Sequence, residues 1–182
     1  MGQISVIISR NPGSVLSANQ QPSDSGGVEI IQTIHQFFAE DPHGFESCAA
    51  ELVRMMLPDV TSLDVTRRSR DGGRDAIGQF RIGTGASAIL VDFAIEAKCY
   101  ALNHAVGVRD MSRLISRLRH RQFGVLVTTG FVDQQAYREI KDDQHPILIL
   151  SAIDIAELLV RAGFATAASV RAWLERSFAK TL

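Results

Sequence analysis

Cysteine is scarce in this 182-residue chain: Cys48 and Cys99 are the only two, each inside an apolar segment. That excludes a disulfide framework and a cysteine-built zinc site, and leaves both thiols as expected core residues. Long apolar runs are also missing. Nothing approaches the roughly 20 apolar residues that cross a bilayer, and the N-terminus lacks the charged, apolar and small-residue order of a signal peptide. The expectation is a cytoplasmic protein with no membrane partner. There is no internal repeat and no phosphate loop, since residues 83–87 (GTGAS) lack the Gly-Lys-Ser/Thr ending and do not open a helix. Net charge is close to nil at −1, yet it is unevenly spread. Between Arg67 and Arg121 stand eleven basic residues against five acidic ones, a surplus of six that leaves the rest of the chain at −7. A basic middle suits a face presented to phosphates, because local potential steers a polyanion; solvated surface arginine is the plainer reading.

What is present is a composition for one domain with a real core, 46% hydrophobic and 21% charged. Residues 1–27 read as a strand and linker-like segment: an apolar run at Ile4–Ile8, then Pro, Gly, Ser and Gln from Asn11 to Gly27. Residues 28–182 form the expected domain. Val28, Ile31, Ile34, Phe37 and Phe38 make a helical stripe, and Phe45, Ala49, Leu52, Val53 and Met56 make a second, ending before Pro58. The period then changes to two. Leu63 and Val65, residues 76–82 and residues 89–99 read as strands, with turns at Asp71–Gly73 and at 83–87. A helix over about 108–121 follows, then a buried strand at 124–129, a helix at 133–141, a second buried strand at 146–150, and helices near 153–162 and 168–178. Tyr137 and Trp173 sit at core spacing. Apolar strands joined through helices imply an α/β fold with a central mixed β-sheet flanked by helices, a meander first and crossover units after it.

The strand 89–99 carries the chemistry. Val91, Phe93, Ile95 and Ala97 point to one face and Asp92, Ala94, Glu96 and Lys98 to the other, so Glu96 and Lys98 stand side by side, with Asp75 arriving from the preceding turn. A lone Glu-x-Lys on a strand is usually a surface salt bridge. Two carboxylates converging with an ammonium beside an apolar run are costly unless paired or holding a metal. Oxygen donors from Asp75 and Glu96, with the backbone carbonyl of Ala97, are what Mg²⁺ prefers, with Mn²⁺ as its substitute. A lysine beside such a cation can orient the attacking water in phosphodiester hydrolysis.

Phe45-Glu46 early in a helix, Asp71-Gly72-Gly73-Arg74-Asp75, Ile95-Glu96-Ala97-Lys98-Cys99-Tyr100, Val106-Gly107-Val108-Arg109 and the run Gly124–Phe131 appear in that order. Over about 44–159 these blocks resemble the Mrr-like restriction endonucleases of the PD-(D/E)xK nuclease superfamily. The resemblance implies a restriction-endonuclease-like fold and Mg²⁺-dependent cleavage of double-stranded DNA. It also implies that Asp75 and Glu96 ligand the metal, that Lys98 positions the water, and that Glu46 is an auxiliary catalytic residue. A glutamate in a first helical turn is equally favoured by the helix dipole alone. The block Gly-Gly-Arg-Asp departs from the family, where a small apolar residue commonly precedes the aspartate; Arg74 points away, contacts phosphate, or forms an inhibitory pair.

Arg109, Arg113 and Arg117 recur every four residues and are expected on one helix face, gripping the DNA backbone or simply solvated. His104, in the turn after the catalytic strand, either touches phosphate or is a plain loop histidine. Cutting both strands requires two active sites, so a homodimer or a pairing with a separate DNA-recognition domain or subunit is expected. The rivals are a junction-resolving or repair nuclease on the same fold and a non-catalytic DNA-binding or assembly module.

Overall fold

Short acceptor side chains write the helix starts. The structure, a computed structural model, describes residues 20–66, 75–118 and 121–178. In it the Asp24 carboxylate accepts from the Gly27 N–H (2.8 Å), Asp41 from Gly44 N–H (3.1 Å) and Asp133 from Ala136 N–H (2.8 Å), each filling a donor left open at a helix N-terminus. These caps open α1 (Ser25–Phe37), α2 (Pro42–Met56) and α4 (Gln134–Asp142). At α5 (Ala152–Arg161) the carboxylate lies inside the helix, where Asp154 Oδ2 accepts from the Ser151 N–H at 3.0 Å. Helix α1 begins three residues before the apolar spacing suggests, because the pair Gly26-Gly27 looks like loop composition. A side chain on Gly27 would put its Cβ 2.7 Å from that of Pro22.

Strands β1 (Val60–Val65), β2 (Ala76–Ile82) and β3 (Ile89–Lys98) form an antiparallel meander, and β5 (Phe123–Thr128) and β7 (Ile147–Leu150) add in parallel, giving the order β1-β2-β3-β5-β7. The alternation on β3 sorts as expected. Phe93 and Ile95 enter the core under α1, α2, α5 and α6 (Ala167–Phe178), and Ala94 enters a second core with Leu126 under α3 (Val108–Arg117) and α4. Both faces of the sheet centre are therefore closed to water, which is why β5 is buried almost throughout. Among the described residues the run at 146–150 is not a central strand. β7 is an edge strand with Leu148 38% exposed, since an apolar run of this length does not say how many neighbours it has.

A two-stranded parallel ladder, β4 (Ala105–Val106) with β6 (Phe131–Val132), closes the loops after β3 and β5. Its outer edge is sealed by Gln20, 4% exposed, whose amide donates to Val132 C=O and accepts from Val132 N–H, both at 2.9 Å. Gln21 donates to the Leu102 carbonyl. The described end of the expected linker is thus built into the fold. The expected strand at Ile4–Ile8, the turn at Asp71–Gly73 and Arg74 lie outside the described residues. Trp173 and Cys48 are buried, and Tyr137 and Cys99 are half-buried against the two cores. Burial pushes the Cys48 thiol up and the Cys99 thiol to about 11, as befits inert core thiols. Among the described residues no helix is long and apolar enough to cross a membrane.

Candidate active site

Strand β3 is where the sheet changes from antiparallel to parallel, and its last turn of residues outruns β2, which begins at Ala76 opposite Ile95. Asp75 stands at that step. Its backbone is held from both sides, the carbonyl accepting from Thr66 N–H (3.0 Å) and the N–H donating to the Ile95 carbonyl (3.4 Å), and its Oδ2 accepts from the Ala97 N–H at 2.6 Å. The N–H and C=O of one strand residue point to the same neighbour, so the Ala97 carbonyl faces the Asp75 side as well.

Glu96 is 1% exposed on the opposite strand side chain row, under α3. Lys98 Nζ donates to its Oε1 at 2.6 Å, and Arg117 donates to its Oε2. The structure brings Asp75, Glu96 and Lys98 together at the end of β3. Arg117 is a correction. Its stripe partners Arg109 and Arg113 are exposed, whereas Arg117 turns inward and is only 13% exposed. Steps of four residues rotate about 40° around a helix of 3.6 residues per turn, so two steps carry Arg117 about 80° from Arg109 toward the sheet.

Electrostatics mark Asp75 as the strained member. Burial and then the Glu96 charge push its carboxyl up to about 6; the Ala97 amide pulls the other way, Glu46 raises it further and Lys98 lowers it. Glu46, on the second turn of α2, therefore lies within electrostatic reach of the site, where the His43 ring bonds it (Nδ1 to Oε2, 2.5 Å). His43 had no signal in the sequence beyond its spacing of three from Glu46. His104 is exposed and packs its ring on Tyr100 at 4.3 Å, while Tyr100 Oη donates to Asp110 Oδ2 at 3.4 Å. The loop holding His104 passes so close to Gly130 that a Cβ there would lie 2.3 Å from the His104 carbonyl oxygen.

Among the described residues no cluster of three or more His, Cys, Asp or Glu side chains is disposed to hold a metal ion. The donor set is instead two carboxylates with a backbone carbonyl, all oxygen, around an aspartate whose charge its acidic neighbours disfavour. That set fits a hard divalent cation, which relieves the repulsion and ordinarily keeps waters for the remaining positions.

An acidic pair and a lysine stand at the open step of a mixed sheet closed by helices on both faces, the layout of a restriction-endonuclease-like α/β fold. Residues 38–159 match a family described as restriction endonuclease, of the Mrr catalytic type, and the chain belongs to that family. Two solved structures match over 92% of the chain. One is the DNA modification-dependent restriction endonuclease AspBHI, at 53% identity and a TM-score of 0.86; the other is the MspJI restriction endonuclease in complex with a 27-mer oligonucleotide, at 29% identity and 0.77. The chain spans 43% and 39% of those two chains. No curated protein matches it.

Proposed function

We propose that this chain is the cutting domain of a larger restriction enzyme, a metal-dependent endonuclease that hydrolyses phosphodiester bonds of double-stranded cytoplasmic DNA. The observation that carries the reading is the convergence of Asp75, buried Glu96 and Lys98 at the end of β3. A binding-only module has no use for charges held together at such cost.

Asp75 and Glu96, with the Ala97 carbonyl, would hold Mg²⁺, for which Mn²⁺ substitutes. When bound, the cation lowers the pKa of the attacking water and offsets charge developing on the phosphodiester. Asp75 is aimed by the Ala97 N–H on Oδ2, which leaves Oδ1 to face a cation with little freedom to rotate. Lys98 has a flexible four-carbon stem and, among the described residues, a single hydrogen-bond partner, Glu96; released from Oε1, its ammonium reaches outward to orient the water against the phosphorus. Glu46 adds negative charge behind Asp75 and serves as an auxiliary group. Arg109 and Arg113 grip the DNA backbone from α3, and His104, on its Tyr100 platform, lies beside that path.

Since AspBHI is named as modification-dependent, base modification is proposed to direct cleavage here too, read by protein outside this chain. A second copy, or a separate recognition domain or subunit, then supplies the pairing that a two-strand cut requires. The test is cleavage of supercoiled plasmid, methylated and unmethylated, with Mg²⁺ or Mn²⁺. Lys98→Ala is expected to lose at least about 100-fold in rate with DNA binding kept, and EDTA to abolish cutting. Cutting that survives both would sink the proposal.

A further inference from the structure

Glu96 is the most deeply buried charge in the described site, and two cations share it: Lys98 on Oε1 and Arg117 on Oε2. One cation is enough to pair a buried carboxylate, so one of the two is free to leave without stranding the charge. The two are not equivalent. Lys98 is 16% exposed and sits two residues along the same strand, on a stem that swings out to solvent. Arg117 stands on α3 between Leu114 and Leu118, which are both buried under the sheet, and its planar guanidinium gives up less freedom for each bond it makes.

We propose that Arg117 is a positioning residue: it fixes Glu96 through Oε2, so that Oε1 is the oxygen presented to the divalent cation and Lys98 is the partner that leaves. This rests on the nuclease reading above. The Lys98 ammonium sits on Oε1, the oxygen that would hold the divalent cation, so taking up the cation would require Lys98 to let go. Cation binding and release of Lys98 toward the water are then one exchange, and Arg117 keeps the carboxylate neutralised and in register while it happens. Without Arg117 the Lys98 ammonium becomes, among the described residues, the one counter-charge left on a buried carboxylate. It then stays on Glu96, resisting the cation and withholding itself from the water.

The test measures Mn²⁺ affinity of the DNA-free protein by calorimetry, with Asp75→Asn as the control for the site. Arg117→Ala is expected to bind Mn²⁺ about 10–100-fold more weakly, the usual scale for removing a group that orients a metal ligand. On DNA, kcat is expected to fall with Kd unchanged. Arg117→Lys keeps the charge and a packed stem but not the fork. It should fold as the wild type does and bind Mn²⁺ with an affinity between those of the wild type and Arg117→Ala.

Wild-type Mn²⁺ affinity in both Arg117 variants, while Asp75→Asn has lost it, would overturn the role given to Arg117 and leave the nuclease reading standing. So would a loss confined to DNA Kd with a shallower salt dependence, which would make Arg117 a phosphate contact. If the wild type binds Mn²⁺ no better than Asp75→Asn, the metal site itself falls, and the proposal with it.

Discussion

At the scale of single residues, Asp75 pays for the site's chemistry in stability. Its carboxyl is held at about 6, above the ordinary 3.8, so the folded protein favours the protonated form. The contribution of this group is therefore most favourable below the unfolded value, declines as pH rises from about 4 to 6, and levels off above. Asp75→Asn keeps an oxygen for the Ala97 N–H and removes the charge. The metal-free variant should be more stable than the wild type at pH 8, by something on the order of 2 kcal/mol, and the gain should vanish near pH 4 in thermal melts. Cation affinity runs the opposite way. Binding must displace the proton, so Mn²⁺ titrations of the wild type should weaken steeply as pH falls below about 6. Glu96 and Lys98 were legible as a pair in the sequence because the period of a strand puts them on one side of it, and Asp75 because the preceding turn delivers it there, while the resemblance implied their roles. Arg117 was not: its target depends on how α3 is rotated over the sheet, which the spacing of four alone leaves open.

At the scale of elements, the site depends on two connections that must run close together. The loop after β3 passes Gly130 with no room for a Cβ, and the obstructing atom is a backbone carbonyl that cannot rotate away. Gly130→Ala should cost about 1–3 kcal/mol in urea unfolding and displace His104 from Tyr100, visible as a change in Tyr100 fluorescence. The helices and central strands were readable from apolar period. The edge position of β7 and the β4–β6 ladder were not, because each is decided by partners elsewhere in the chain, β5 and Gln20; nor was the early start of α1, where Gly26-Gly27 reads as loop composition.

At the scale of the whole molecule, a near-neutral chain concentrates its basic surplus between residues 67 and 121 of the sequence. Arg109 and Arg113 stand exposed on α3 within that stretch. Each phosphate contact adds about 0.9 to the slope of log affinity against log salt. Replacing both by Ala should make that slope shallower by about 2 and weaken binding evenly across DNA sequences, measured by anisotropy between low and moderate salt. An unchanged slope would take both arginines off the DNA path.

Gln20 gives the molecule a handle. Its two bonds to Val132 and the bond from Gln21 to Leu102 moor the chain to the strips of backbone that follow β5 and β3, the latter only four residues beyond Lys98. Any load reaching Gln20 along the chain therefore meets the backbone that follows β5 and β3 before it meets α1.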